Sequence, residues 1–105
     1  MPQFSVHKNK NPKTRSTYPY LVDVQSDLLS DLGTRVVVPL VKRTASNNKP
    51  IKTLMPVIRV EGQAFIMMVP QLAGIATTDL GVQVASVPQH RGEVVAALDF
   101  LITGI

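Results

Sequence analysis

The sequence predicts a mainly β protein: a small antiparallel barrel or sheet closed by one C-terminal helix. Three observations carry this. Runs of β-branched and aromatic residues recur along the chain, separated by short turns or polar loops. No helical periodicity comes between them, which argues against a parallel sheet with crossover helices. Only the C-terminal segment changes period: Val94, Val95, Leu98, Leu101 and Ile102 fall on one stripe of a helix.

Each element follows in order. Phe4-Ser5-Val6-His7 alternates and reads as a strand. Asn9 to Thr17 is polar, basic and interrupted by Pro12, hence a loop. Tyr20 to Val24 is rich in strand formers, and Gln25 to Gly33 turns the chain back. Arg35 to Leu40 is a second β-branched run, whose Pro39 is expected to end its ladder or lie at an edge. Lys42 to Pro50 is a second loop, with nothing to bury. Val57–Val60 and Ala64–Met68 flank Glu61-Gly62-Gln63, a hairpin with a short glycine-containing turn. Thr78 to Gly81 is a further turn and Val82–Val84 a short last strand. The helix is expected to start with Ser86 as cap, Pro88 in its first turn and Gln89 at the capping-box position. Gly104 suits its end. Phe100 lies off the stripe and needs a second surface.

With 105 residues the chain has the length of one domain, residues 1–105. At 45% hydrophobic and 17% charged it can bury a core and is not a disordered chain. It has no cysteine, which excludes disulfides, thiolate metal sites and cysteine nucleophiles, and fits a reducing compartment. Its start lacks the apolar core of a signal peptide, and its best apolar stretch, Ala64–Val69, falls short of the ~20 residues that span a bilayer. A cytoplasmic protein without a membrane partner is expected.

The net charge of +4 is concentrated. Lys8, Lys10, Lys13 and Arg15 form one basic cluster; Lys42, Arg43, Lys49 and Lys52 form another. This fits either an anionic partner or two solvated loops. Catalytic groups are sparse. The only two histidines, His7 and His90, read as surface residues without ligand spacing. Asp23, Asp27 and Asp31 are spaced by four, but their segment runs from strand to turn and gives them no common face. No phosphate loop, nucleophile elbow or zinc motif is present. Neither a catalytic set nor a cofactor is expected. Phe100-Leu101-Ile102-Thr103-Gly104-Ile105 is apolar to its last residue, so this end is either docked in the core or held for a partner.

Longer strings go further. Tyr18-Pro19-Tyr20-Leu21-Val22-Asp23-Val24-Gln25-Ser26-Asp27-Leu28-Leu29 and Thr34-Arg35-Val36-Val37-Val38-Pro39-Leu40 resemble the CcdB toxins of ccd toxin–antitoxin systems. Leu54-Met55-Pro56-Val57-Ile58, Phe65-Ile66-Met67-Met68 and Gly104-Ile105 continue the resemblance in order over nearly the whole chain. It implies an SH3-like barrel or sheet of the CcdB/MazF type with one C-terminal α-helix, in a bacterial cytoplasmic homodimer. It also implies a gyrase poison that binds the A subunit of DNA gyrase and traps the cleavage complex. A CcdA-like antitoxin with an acidic flexible tail would neutralise it, and the pair would repress its own operon, with DNA contacted only through the antitoxin.

The positions matching the family's gyrase contacts are Ile102, Thr103, Gly104 and Ile105, with Asp99 one turn earlier, and the pair Leu28 and Leu29. The best-known member carries tryptophan where this chain has Thr103. The basic regions, with Lys8, Lys10, Lys13, Arg15, Lys42 and Arg43, are the expected antitoxin surface. Two alternatives are a ribonuclease toxin of the related barrel, using residues such as His7, Arg35 and Arg59, and a gyrase-inactive homologue acting as antidote.

Overall fold

Alternation along the first strand, β1 (Ser5–Asn9), puts Val6 on one face and Ser5 and His7 on the other. The computed structural model describes residues 2–44 and 53–104. After β1 come β2 (Tyr20–Asp23), β3 (Thr34–Lys42), β4 (Val57–Val60), β5 (Gln63–Met67), β6 (Ala73–Ala76), β7 (Leu80–Ser86) and helix α1 (Arg91–Thr103). All strands join one antiparallel sheet in the order β4-β5-β3-β2-β1-β7, with β6 also on β3. The expected mainly β fold with a C-terminal helix is what forms.

β3 organises the sheet. Along one edge it pairs with β2, from Asp23↔Val37 to Tyr20↔Leu40. Its other edge is shared: Leu40–Lys42 pair with β5 and Thr34–Val37 with β6. Period-2 alternation then divides the apolar residues between two faces. Val22, Val38 and Leu40 join Phe4, Ile58, Phe65 and Met67 in the main core under α1. Leu21 and Val37 face the opposite way and form a smaller cluster with Leu80, against which Ile75 packs.

Pro39 neither ends the ladder nor lies at an edge, contrary to expectation. It is the sixth residue of β3 and pairs with Leu21. Its carbonyl accepts the Met68 N–H at 2.9 Å, so its backbone faces the β5/β6 side. There β3 changes partner, and a missing N–H breaks no ladder bond. The hairpin matches expectation closely. Val60 pairs with Gln63, and the two residues between them, Glu61 and Gly62, have φ of 52° and 82°. Positive φ at both positions is the type I′ geometry that suits strand twist.

β6 was not legible in the sequence, because Ala73-Gly74-Ile75-Ala76 holds a single large apolar residue. β7 is longer than the expected Val82–Val84 and runs to Ser86, which pairs with Ser5. Ser86 therefore ends a strand and does not cap the helix. A 3-10 turn, Pro88–His90, intervenes, and α1 begins without a side-chain cap. Its buried face is Val94 and Ala97, with Leu98 and Leu101 packed on the core; Ile102 is left 75% exposed. The spacing i, i+3, i+4, i+7 starting from Val94 chooses Ala97 over Val95 and Ile102.

Gly81 marks the closest approach of β7 to β1. A Cβ built there would lie 2.5 Å from the Lys8 carbonyl oxygen. Gly81→Ala is expected to lower stability by about 1–3 kcal/mol, the usual cost of overpacking. Thermal unfolding checks this, and an unchanged Tm would mean that β1 and β7 part without cost.

Candidate functional site

The strand register fixes which surface features share an end of the sheet. Lys8 pairs with Tyr20, and Tyr20 with Leu40. The loop after β1 and the residues after Leu40 therefore leave the same end. Lys10, Lys13 and Arg15 belong to that loop and Lys8 to the end of β1 before it, while Lys42 ends β3 and Arg43 follows it; all six are exposed. Topology thus gathers two basic segments that are about thirty residues apart in sequence. Lys49 and Lys52 lie outside the described residues.

The first basic loop is well ordered by its own polar groups. Asn9 Nδ2 donates to Thr14 Oγ1 and to the Tyr18 carbonyl, and Lys10 Nζ donates to the Thr78 carbonyl at 2.9 Å. Beside the loop lies a groove of ≈ 540 Å³. Its floor includes Leu21, Val37, Pro39 and Ile75, on the sheet face away from α1; Lys10 and Tyr18 stand on its wall. Among the described residues the lining carries one basic side chain, Lys10, and one acidic, Asp79, around apolar residues, so its shape and apolar floor suit an extended chain with apolar side chains. Tyr20 is engaged elsewhere: its ring meets Phe65 edge-on, with centroids 5.3 Å apart.

The opposite end of the sheet carries apolar residues in a polar setting. Between β2 and β3, Asp27–Leu29 form a 3-10 turn whose start is capped by Ser26 Oγ, which accepts the Leu28 N–H. Leu28 is 94% exposed, and Leu29 and Leu32 are about half exposed. Leu32 was not singled out from the sequence. The signal was there, since three leucines alternate with Ser and Asp in Ser26-Asp27-Leu28-Leu29-Ser30-Asp31-Leu32. The three acids spaced by four are separated in environment: Asp23 is buried, whereas Asp27 and Asp31 are exposed. No group of three potential metal-binding side chains exists among the described residues.

At the helix end, Gly104 adopts φ 75° and its N–H returns to the Phe100 carbonyl. Thr103 Oγ1 donates to the Asp99 carbonyl at 2.6 Å. Phe100 and Ile102 are the exposed large apolar side chains here. Asp99 and Thr103 are exposed as well, and Ile105 lies outside the described residues. Exposed large apolar side chains thus occur both on the turn after β2 and at the end of α1.

The residues weighed for ribonuclease chemistry do not share a site. His7 is buried, not on the surface as expected: its Nδ1 donates to the Gly81 carbonyl at 3.0 Å and its Nε2 meets Ser5 Oγ at 2.8 Å. Arg35 is buried against Asp23, with Nε 2.7 Å from Oδ2. Arg59 is exposed and reaches the Gly62 carbonyl within its own hairpin. The surface expectation for His7 failed because β1 is an interior strand, paired along its edges with β2 and β7, and both its faces are buried from Ser5 to His7.

Comparison with known proteins agrees with this architecture. The family model described as "CcdB protein" matches residues 3–104. A solved endoribonuclease in complex with its cognate antitoxin, from a mycobacterial species, has the same fold with a TM-score of 0.74. Only 12% of residues are identical, over 97% of this chain and 94% of that one.

Proposed function

The chain belongs to the CcdB family, and on that premise we propose that it is a toxin that poisons DNA gyrase. It binds the A subunit and holds the enzyme on cleaved DNA, acting by contact without chemistry of its own. The observation that carries this reading is the exposure of Leu28 (94%) and Ile102 (75%), both at positions matching the family's gyrase contacts. Leu28 is exposed together with Leu29 and Leu32 on one short turn, and clustered exposed apolar side chains suit a partner surface.

Leu28, Leu29, Ile102, Thr103, Gly104 and Ile105, with Asp99 behind them, form the gyrase surface in this reading. A homodimer would present each group twice to a twofold target. With Thr103 bonded to the helix backbone, Phe100 and Ile102 supply the bulk at this helix end. The protein works in the bacterial cytoplasm, where gyrase and DNA are.

A CcdA-like antitoxin with an acidic tail is the second partner, and the toxin–antitoxin pair represses its own operon. Lys8, Lys10, Lys13 and Arg15, together with Lys42 and Arg43, attract the tail, and the neighbouring groove takes its apolar side chains. Charge steering acts mainly on the association rate. Raising salt from low to physiological is therefore expected to slow association with an antitoxin-tail peptide severalfold. Stopped-flow fluorescence reads this; a salt-independent rate would remove the basic loops from the encounter.

The deciding experiment is a gyrase cleavage assay with purified protein, gyrase, ATP and supercoiled plasmid, stopped with detergent and protease. Linear DNA is expected only when all components are present, and is expected to vanish when Ile105 is removed. No linear DNA, with gyrase responding to a known poison, would sink the gyrase reading.

A further inference from the structure

Gln25 follows β2 and is 7% exposed, and both ends of its side-chain amide are hydrogen-bonded. Its Oε1 accepts the Val36 N–H at 3.0 Å, and its Nε2 donates to the Leu29 carbonyl at 2.9 Å. The first bond continues the sheet. Val24 N–H pairs with the Val36 carbonyl, and beyond it the chain leaves β3, so the Gln25 amide stands in for the absent strand. The second bond closes the leucine turn. The Leu29 carbonyl also accepts the Leu32 N–H at 3.1 Å, so both its lone pairs are used.

Gln25 is itself fixed from below. Its N–H donates to Asp23 Oδ1 at 3.0 Å, while Asp23 Oδ2 takes Arg35 Nε at 2.7 Å. Asp23 and Arg35 are both buried, so the anchor is rigid. One buried amide thus links the sheet to the carbonyl around which Leu28, Leu29 and Leu32 are arranged. A turn whose leucines are half to almost fully exposed gains little from apolar packing, so polar ties carry much of its order.

We propose that Gln25 is a positioning residue for partner binding: it holds the Leu28–Leu32 turn in its binding shape before the partner arrives. The partner is the gyrase A subunit, so the affinity readout rests on the reading above, whereas the turn's order does not. Holding a binding loop in shape in advance removes an ordering cost from association.

The test compares wild type, Gln25→Ala and Gln25→Glu, each alone and combined with Leu28→Ala. Gln25→Glu keeps the acceptor for Val36 N–H and loses the donor to Leu29, so it decides the matter if Gln25→Ala does not fold. Amide exchange is followed at Leu29, Ser30 and Leu32, and affinity is measured for purified gyrase A subunit and for an antitoxin-tail peptide. The expected result is turn amides exchanging about tenfold faster with sheet amides unchanged. Gyrase affinity falls about tenfold, antitoxin affinity holds, and the loss largely disappears in the Leu28→Ala background.

Unchanged turn exchange would overturn the proposal. So would an affinity loss that adds fully to that of Leu28→Ala, or one that extends equally to the antitoxin peptide. If the wild type does not bind gyrase A, the gyrase reading falls by itself. Turn exchange then decides: local loosening supports Gln25 as the positioning residue, and its absence overturns that role.

Discussion

Asp23→Ala is expected to destabilise the protein by about 3–5 kcal/mol, which would unfold a large share of molecules near physiological temperature. Arg35 lies 1% exposed with its Nε 2.7 Å from the Asp23 carboxylate. Removing the carboxylate leaves a guanidinium in the protein interior without its facing carboxylate. The Gln25 N–H loses its acceptor at the same time. The cost arises from taking the counter-charge away from a buried cation and not from any large net gain of the pair. The double substitution Asp23→Leu, Arg35→Leu is therefore expected to recover a substantial part of the loss. Urea unfolding of the three variants makes the comparison. Equal stability of Asp23→Ala and wild type would show that Arg35 finds another partner or water when the carboxylate is gone.

The second large effect is on function. Leu28→Asp is expected to weaken gyrase A binding by roughly 30-fold or more, the range of an interface hot spot, and to remove linear DNA from the cleavage assay. The docked state would then bury a carboxylate in place of an apolar anchor. Folding should hardly respond, because the side chain is 94% exposed in the native protein and its removal opens no cavity. An unchanged Tm with lost binding identifies Leu28 as a contact; full poisoning by Leu28→Asp would exclude the turn from the gyrase surface.

These effects separate two kinds of residue that the same short string contains. Val22-Asp23-Val24-Gln25-Ser26-Asp27-Leu28 holds the internal anchor and the exposed contact within seven positions. In sequence, Asp23 and Asp27 looked equivalent. In the fold, Asp23 ends β2 inside the protein, whereas Asp27 sits on the surface and accepts the Gln3 N–H at 2.7 Å. A spacing of four carries a common face along a continuous helix or strand, and this segment changes from strand to turn.

The basic loops show the same limit from the other side. Lys8–Arg15 and Lys42–Arg43 were visible as charge runs, but their shared end of the sheet follows from the Lys8↔Tyr20↔Leu40 register. The groove beside them needs β6, a strand too small and too poor in apolar residues to announce itself.

The sequence by itself determined the β-rich class, the hairpin at Glu61-Gly62, the C-terminal helix and the family. Each of these depends on local signals: β-branched runs, a glycine in a two-residue turn, a helical stripe and an ordered string of residues. Only the tertiary structure decided that His7 and Arg35 are interior, that Pro39 sits mid-strand and that Ser86 belongs to β7. It also decided that Gln25 joins the sheet to the leucine turn. Burial and hydrogen-bond partners depend on which strands lie side by side, and strand neighbours in an antiparallel sheet come from distant parts of the chain.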